Sequence, residues 1–336
     1  MEVTFLVLGA FVLVITVLDL IKTTFSSNGG GRITSTVSKG VWKLFYLASG
    51  KKGRSGLLSY AGPAVLVSIL LVWITGLWTG LFLLLLSDPD SVVKSSTLAT
   101  ASPLEKLYYA GFTVSTLGVG DYIATTDAWR LVTSLAAFTG LAFITASITY
   151  FLPVLSAVGL QSKLSLYISS MGKTPQQLLV NGWNGKDFSP FFNNVSDLCQ
   201  MLLQHTMNHN SYPVIHYFHN SQPKQAIAPA IVLLDEAYHL LLQIEVKEEL
   251  GMEMLQTTLD TYMKTMQESF LKNAKANTSA PPAPNVEQLH KAGIPIKSSE
   301  NVKRVFEQHL QEHRTLLTAL LEKDGWTWQE VYKTVS

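Results

Sequence analysis

The sequence predicts an all-α membrane protein that continues into a soluble helical part. Three long apolar runs lie before Gly159, whereas the charged residues are concentrated after it. Apolar runs of about 20 residues are long enough to cross a bilayer as helices. The second half shows little of the period-two alternation that indicates strands. A net charge of +1 gives no indication of nucleic acid binding, so no nucleic acid partner is expected.

Residues 1–25 form the first apolar run and predict an N-terminal transmembrane helix. A signal peptide is the alternative, but it would need basic residues before the apolar core, and only Glu2 precedes this one. Asp19 and Lys22 interrupt the end of the run. Because they are three residues apart on a helix, we expect them to pair at the membrane edge.

Residues 26–60 carry six basic side chains and no acidic one, which predicts a cytoplasmic loop. Residues 41–47 (Val-Trp-Lys-Leu-Phe-Tyr-Leu) would lie along the membrane surface, with lysines near anionic lipid. An ordinary basic loop is the alternative. We therefore expect a multi-pass protein of the plasma (cell inner) membrane, with its N-terminus outside and its C-terminus in the cytoplasm.

Residues 61–159 contain the second and third apolar runs. Residues 63–86 hold no charge and predict the clearest membrane span in the chain. Residues 127–158 form the third run, with Gly140 near its middle and Pro153 near its end. We interpret Gly140 as a hinge or a close-packing position, and Pro153 would kink the helix.

A short amphipathic helix is predicted between these runs, over residues 103–115. Pro103 suits the first turn of a helix, Ser102 suits its cap, and Glu105 lies where the helix dipole favours an acid. The helix is too short to span a membrane. Its aromatic face consists of Tyr108, Tyr109 and Phe112.

The segment after this short helix reads Ser-Thr-Leu-Gly-Val-Gly-Asp-Tyr, from Ser115 to Tyr122. Gly118 and Gly120 are two residues apart, and glycine accepts backbone angles that other residues resist. Such spacing allows successive carbonyl groups to point the same way, whereas an ordinary strand alternates them.

This order of outer helix, short helix, glycine segment and inner helix resembles the pore module of potassium channels, over residues 63–158. The resemblance implies a selectivity filter whose K⁺ sites are formed by Thr116, Leu117, Gly118, Val119 and Gly120. It implies that Gly140 occupies the position of an inner-helix hinge. Val119 departs from the commonest pattern, which has an aromatic residue between the two glycines.

The resemblance also assigns supporting roles to the neighbours of the filter. Ser115, Asp121 and Tyr122 would support it, and the helix carrying Tyr108, Tyr109 and Phe112 would be the pore helix. A closed ring of carbonyls requires four chains, so a homotetramer embedded in membrane lipids is expected. K⁺ would be the permeant ion, and no organic cofactor is predicted. No helix repeats basic residues at every third position, so no voltage sensor is expected.

The remaining chain predicts a helical cytosolic domain over residues 160–273, a Pro-rich linker over 274–298 and C-terminal helices over 299–336. The linker assignment rests on four prolines among small residues. A domain in this position would assemble around the inner gate or bind a cytosolic regulator of the channel. A dinucleotide-binding domain is not indicated, because no Gly-x-Gly-x-x-Gly follows a predicted strand.

Histidines in this domain offer an alternative interpretation. His205 and His209 are four apart on a predicted helix, and Glu236 and His239 are three apart on another, which is a spacing found in helical metal sites. A second Glu-x-x-His is missing, so structural polar roles are the competing interpretation. His309 and His313 lie on a charged face and are expected to be solvated.

The sequence thus predicts a potassium-selective channel, passive and gated by a cytosolic signal, and not an enzyme. One alternative is a weakly selective monovalent cation channel. The other, from a different class, is a membrane-tethered helical metal-dependent hydrolase.

Overall fold

A computed structural model describes residues 2–26, 29–244, 249–271 and 281–332, and nearly all regular structure in them is helical. The chain divides into two compact units. The first contains Met1–Val41 and Pro63–Leu155, and the second contains Trp42–Gly62 and Ser156–Ser336. The predicted boundary near residue 159 thus falls four residues earlier, within one continuous helix.

Among its described residues, the first unit contains five α-helical elements and one two-stranded sheet around the glycine segment. Its elements are α1 (Val3–Phe25), the first part of α2 (Arg32–Ala48), α3 (Ala61–Leu86), β1 (Val92–Lys94), α4 (Pro103–Val114), β2 (Tyr122–Ala124) and the first part of α5 (Asp127–Met171).

Three helical segments among the described residues are long and apolar enough to cross a membrane, namely Val3–Phe25, Gly56–Leu86 and Asp127–Met171. The prediction of an all-α membrane protein with an additional N-terminal helix is therefore confirmed. Pro153 lies inside the 45-residue helix α5, which continues on both sides of it.

Small residues bring α1 and α3 into close contact. A Cβ atom on Gly76 would lie 2.4 Å from Thr16 Oγ1, and one on Gly80 would lie 2.6 Å from Leu13 Cγ. Gly76 and Gly80 form the Gly-x-x-x-Gly spacing that allows helices to approach closely in membranes. This pairing makes α1 an integral part of the first unit.

Asp19 joins three helices rather than pairing with Lys22, so that prediction is wrong. The Asp19 carboxylate is buried and accepts hydrogen bonds from Ile33 N (2.8 Å), Thr34 N (3.2 Å), Thr34 Oγ1 (2.7 Å) and Trp73 Nε1 (3.0 Å). It thereby caps the N-terminus of α2 from a neighbouring helix, where free N–H groups favour an anion. Gly31 is required there because a Cβ would lie 2.0 Å from Asp19 Oδ1.

The prediction that residues 26–60 form a loop is corrected by α2 and by a 3-10 turn at Gly56–Tyr60. Trp42 on α2 is buried, with its ring 6.2 Å from Tyr46, 6.0 Å from Tyr217 and 6.1 Å from His219. This side chain therefore packs within the second unit instead of facing lipid. Aromatic residues such as those in 41–47 suit both a membrane surface and a protein interior. Composition alone therefore did not distinguish these two environments.

The second unit is a helical domain with one continuous apolar core. Its helices are α6 (Pro175–Gly182), α7 (Ser189–Phe192), α8 (Val195–Ser211), α9 (Ile227–Leu241), α10 (Glu249–Ser269), α11 (Glu287–Lys291), α12 (Ser299–Arg304), α13 (Gln311–Lys323) and α14 (Gln329–Tyr332). Every residue of α9 except His239 is buried, so α9 is the central helix.

The linker predicted over residues 274–298 is wrong for its described part, residues 281–298. Val286, Leu289, Ile294 and Ile296 are buried in the core, and Ile296 pairs with Ile244 in an isolated β-bridge. This part of the chain is therefore packed into the domain and is not a flexible tether. Residues 274–280 of the predicted linker lie outside the described residues.

The C-terminal helices predicted over residues 299–336 include a π-helical turn at Val305–His309, between α12 and α13. Just before the last helix, α14, Thr327 Oγ1 accepts from Gln329 N at 3.3 Å. Residues 333–336 of the predicted helical stretch lie outside the described residues.

Asp19→Ala is expected to lower the free energy of unfolding by about 2–4 kcal/mol, because four buried donors lose their acceptor. Thermal unfolding in detergent micelles measures the change. Asp127→Ala is the matched control, since the Asp127 side chain is 93% exposed and pairs only across the surface with Arg130. Lys22→Ala should also have little effect. Equal stability of Asp19→Ala and Asp127→Ala would contradict the three-helix role of Asp19.

Candidate ion-conducting site

The glycine segment has an unusual backbone. The φ angle is positive at Thr116 (59°), Gly118 (58°) and Gly120 (85°), and not at Leu117 or Val119 between them. Such alternation turns successive peptide planes so that their carbonyl groups share one side, unlike the planes of a strand. Thr116 adopts a conformation that non-glycine residues seldom occupy, which costs on the order of 1 kcal/mol.

The carbonyl groups of residues 116–120 accept no hydrogen bond from any backbone N–H group in the described part of the chain. Hydroxyl groups nearby bond elsewhere: Ser115 Oγ donates to Phe112 O at 3.2 Å, and Tyr122 OH to Glu105 Oε1 at 2.5 Å. A row of unpaired carbonyl oxygens on one side is able to coordinate a dehydrated cation.

Helix α4 leads directly into this segment. The N–H groups of Ser115, Thr116 and Leu117 donate to the carbonyls of Gly111 (3.0 Å), Thr113 (3.0 Å) and Phe112 (2.9 Å) in the last turn of α4. The last turn of α4 therefore fixes the positions of residues 115–117. The residues that follow are held by the contacts of Asp121 and Tyr122.

The start of α4 confirms the predicted cap. Ser102 Oγ accepts from Glu105 N at 3.5 Å, and Glu105 Oε2 accepts from Ser102 N at 2.7 Å, which together form a capping box. The other Glu105 oxygen accepts from Tyr122 OH. This hydrogen bond raises the pKa of Tyr122 to about 12 and lowers the pKa of Glu105. The start of the helix is thereby tied to the chain that leaves the glycine segment.

Lys106 fastens α4 to the end of α3. Its ammonium group is buried and donates to the carbonyls of Leu85 (3.0 Å), Asp88 (2.7 Å) and Pro89 (2.8 Å). Asp88 in turn accepts from Trp129 Nε1 at 2.8 Å, which adds the start of α5. Three ends of helices are thus joined by charged hydrogen bonds, which are stronger than neutral ones.

The chain beyond the glycine segment is held by the sheet. Strands β1 and β2 are antiparallel, with Val92 opposite Ala124 and Lys94 opposite Tyr122. Asp121 O accepts from both Ser95 N (2.9 Å) and Ser95 Oγ (3.0 Å). The segment from 116 to 120 is therefore anchored at both ends.

The predicted aromatic face of α4 is divided between two surroundings. Tyr109 and Phe112 are buried, and the Tyr109 hydroxyl is 3.0 Å from Thr133 Oγ1 on α5. Tyr108 is exposed and lies edge-on to Tyr122, with ring centroids 6.1 Å apart. Tyr109 therefore joins α4 to α5, and Tyr108 stays at the outer surface of this chain.

Gly140 packs against the end of α4. A Cβ atom at this position would lie 1.9 Å from the carbonyl oxygen of Val114. The close-packing role is therefore present in the structure, while the hinge role remains a prediction.

A cavity of about 530 Å³ lies beside the glycine segment. It is lined by Gly118 and Gly120 of this segment, by Tyr109 and Phe112 of α4, and by Ser134 of α5. Leu117 and Val119 are 70% and 49% exposed in a single chain. The side chains of this segment are thus largely exposed in this chain.

Sequence reasoning missed the residues that hold the segment in place. Lys106, Asp88 and Trp129 form hydrogen bonds to residues 17 to 41 positions away in the sequence. A lysine in the first half of an otherwise apolar helix was the available signal, because an unpaired buried ammonium group would be costly.

The histidines predicted as metal candidates do not form one group with Glu236. His205 and His209 are buried on α8 with their rings 4.6 Å apart, and His216 lies 6.0 Å from His209. Glu236 instead forms a buried ion pair with Arg314, through bonds of 2.8 and 3.0 Å. Within the described chain, the one group able to hold a metal ion combines His239 with Asp235 and His313.

His205, His209 and His216 form a buried imidazole cluster. Both ring nitrogens of His205, with His209 Nδ1 and His216 Nε2, bond to no described residue. Burial lowers the pKa of His205 and of His216 to about 3, and lowers that of His209 as well. All three are therefore neutral at physiological pH.

The fold and the site together define an all-α membrane protein with a module of two long helices, with a short helix and a glycine-containing loop between them. Residues 68–157 match the family model described as "Ion channel", so this part of the chain is an ion channel domain and the resemblance is confirmed. Over 330 residues, the chain is 29% identical to a Bacillus subtilis (strain 168) protein described as uncharacterized membrane protein YdjJ, covering 96% of this chain and 95% of that protein. No solved structure matches the chain.

Tyr122→Phe is expected to raise the pKa of Glu105 towards its ordinary value, because the variant loses only the hydroxyl that bonds to this carboxylate. Solid-state NMR of ¹³C-labelled glutamate in bilayers would follow the titration. Tyr60→Phe is the control, since the Tyr60 side chain is 69% exposed. An unchanged Glu105 titration in Tyr122→Phe would show that the bond is not formed.

The second unit is expected to lose stability as the pH falls below about 6.5. The unfolded histidines bind protons near pH 6.5, whereas the folded cluster resists them until about pH 3, so acid favours unfolding. Each histidine contributes up to about 1.4 kcal/mol per pH unit in this window. Asp324 has the opposite effect on stability and offsets about one histidine. Burial raises its pKa to about 7, so protonation of Asp324 favours the folded state as the pH falls.

Chemical denaturation at a series of pH values measures this slope. His209→Phe should make it shallower, while His290→Gln, at an exposed position, should not. An identical slope in wild type and His209→Phe would refute the contribution of the cluster.

Proposed function

We propose that four copies of this chain form a potassium-selective channel, with residues 116–120 as its filter. The observation that carries this proposal is the backbone, in which φ is positive at every second residue and the carbonyls of all five residues are unpaired within the described backbone. K⁺ binds where carbonyl oxygens replace its hydration shell, and it passes by exchange between adjacent sites.

The requirement for four copies follows from the geometry of a filter. One chain supplies one row of carbonyl oxygens, and a K⁺ ion needs oxygens from all around the axis. The exposure of Leu117 and Val119 and the open cavity beside Gly118 and Gly120 support neighbouring copies that complete the wall. A closed symmetric ring is the arrangement that identical chains commonly adopt.

Helix α5 supports the same assembly, because it presents an apolar stripe that nothing covers in the described part of one chain. The stripe consists of Leu131, Leu135, Phe138, Leu141, Ile144, Ile148, Leu152 and Leu155. Inner helices of other copies and membrane lipid would cover it.

Selectivity for K⁺ over Na⁺ is supported by how firmly the filter is held. Val119 has no hydroxyl or ring nitrogen to bond to the wall. The Tyr122–Glu105 bond and the Asp121–Ser95 bonds hold the outer end instead. This bracing favours a selective channel over the weakly selective alternative.

Orientation and gating complete the proposal. The six basic residues between 26 and 60 favour a cytoplasmic position for that stretch, which puts the N-terminus outside and the second unit in the cytoplasm of a plasma (cell inner) membrane protein. A cytosolic regulator acting on the helical domain would then open or close the pore.

Reversal potentials across liposomes containing the purified protein, with K⁺ on one side and Na⁺ on the other, test this function. Gly118→Ala should abolish K⁺ flux or remove its selectivity, because a Cβ strains the positive φ that orients the carbonyls. The protein should still insert and assemble.

Gly40→Ala is the control, since a Cβ at Gly40 meets open space and its φ is not positive. Selective flux that survives Gly118→Ala would exclude the filter assignment. A reversal potential near zero in the wild type would instead establish the weakly selective alternative.

A further inference from the structure

Two helices of the second unit bring three metal-ligating side chains to one point. Asp235 and His239 are one turn apart on α9, and His313 comes from α13. His313 Nε2 lies 2.8 Å from Asp235 Oδ1, and His239 Nε2 lies 3.4 Å from the same oxygen. One ligand atom from each residue lies within 4.8 Å of the others.

These distances suit a single ion. Ligand atoms bound at about 2.0–2.2 Å from Zn²⁺ are separated by somewhat more than 3 Å, so small side-chain adjustments would open the site. Two imidazoles with one carboxylate are a donor set that favours divalent transition metals over Mg²⁺ or Ca²⁺, which prefer oxygen alone. The two rings are nearly perpendicular, at 76°, with centroids 5.0 Å apart.

The neighbouring residues Arg314 and Glu236 hold the two helices of the site together. Arg314, next to His313, donates to both carboxylate oxygens of Glu236, next to Asp235. Arg314 also donates to Pro282 O at 2.8 Å and lies over the Trp328 ring. A bidentate pair of this kind fixes α13 against α9, so His313 is placed without help from the metal.

The site is also reachable from solvent. Asp235 is buried, whereas the side chains of His239 and His313 are 14% and 26% exposed. A fourth coordination position is therefore open to water. Asp260 adds negative charge nearby, since its carboxylate acts to raise the pKa of both histidines.

We propose that Asp235, His239 and His313 bind a divalent transition metal ion of the Zn²⁺ class and thereby cross-link α9 to α13. This inference concerns the second unit alone and does not depend on the proposed potassium channel function. A purely structural ion pair between His313 and Asp235 is the competing explanation, and it predicts no metal affinity.

Co²⁺ titration of the full-length protein, purified in detergent and freed of metal with a chelator, tests the site. The wild type should bind one Co²⁺ per chain, with the visible absorption of a low-symmetry nitrogen and oxygen site, and Zn²⁺ should displace it. Zn²⁺ should raise the unfolding temperature, and binding should weaken as the pH falls below 6.

His239→Asn and His313→Asn should each weaken binding by about 100-fold or more, because even residues behind metal ligands commonly contribute 10- to 100-fold. His290→Asn, on α11 and exposed, should bind Co²⁺ like the wild type. His239→Cys should bind Zn²⁺ again and give the intense thiolate absorption with Co²⁺, which keeps the test decisive if an asparagine variant misfolds. Failure of the wild type to bind, or equal affinity in His239→Asn and His290→Asn, would overturn the proposal.

Discussion

A backbone that leaves its own carbonyl groups unpaired is the constraint on which the first unit depends. Residues 116–120 are stabilised by neither a strand ladder nor a helix, because their carbonyl groups have no partner in the described backbone. Their position must therefore come from the two ends. The last turn of α4 holds residues 115–117, while Tyr122 and the β1–β2 sheet hold the exit. Between these anchors, positive φ at Thr116, Gly118 and Gly120 is stable only because the surroundings impose it.

Two buried charges in the first unit follow one physical rule, in which the charge binds the unsatisfied end of a helix. Lys106 satisfies carbonyls at the end of α3, and Asp19 satisfies N–H groups at the start of α2. In both cases the side chain binds a helix terminus of opposite partial charge. The ammonium group of Lys106 binds a C-terminus, and the carboxylate of Asp19 binds an N-terminus. An apolar bundle gains little directional information from packing alone, so these few polar contacts fix which helices meet and at what depth.

The second unit uses its histidines in two opposite ways. The buried imidazole cluster has four ring nitrogens without hydrogen-bond partners in the described chain and stays neutral, so acid favours the unfolded state of this unit. The α9–α13 group is partly open and lies beside carboxylates, which favour a bound cation, whether a proton or a metal ion. Burial and neighbouring charge, rather than residue type, separate these two roles.

Sequence alone determined the membrane spans, the cap of α4 and the glycine segment, because apolar length, helix-end chemistry and the freedom of glycine are local properties. Local pattern was also misleading in two places. Residues 281–296 have the composition of a linker, but their apolar side chains pack in the core of the second unit. Asp19 has the spacing for a helical pair with Lys22, but it binds Trp73, which is 54 residues away. Only the tertiary structure decided which distant groups meet, such as Asp235 with His313, 78 residues apart. Such meetings depend on how whole helices pack, and no short window of sequence contains that information.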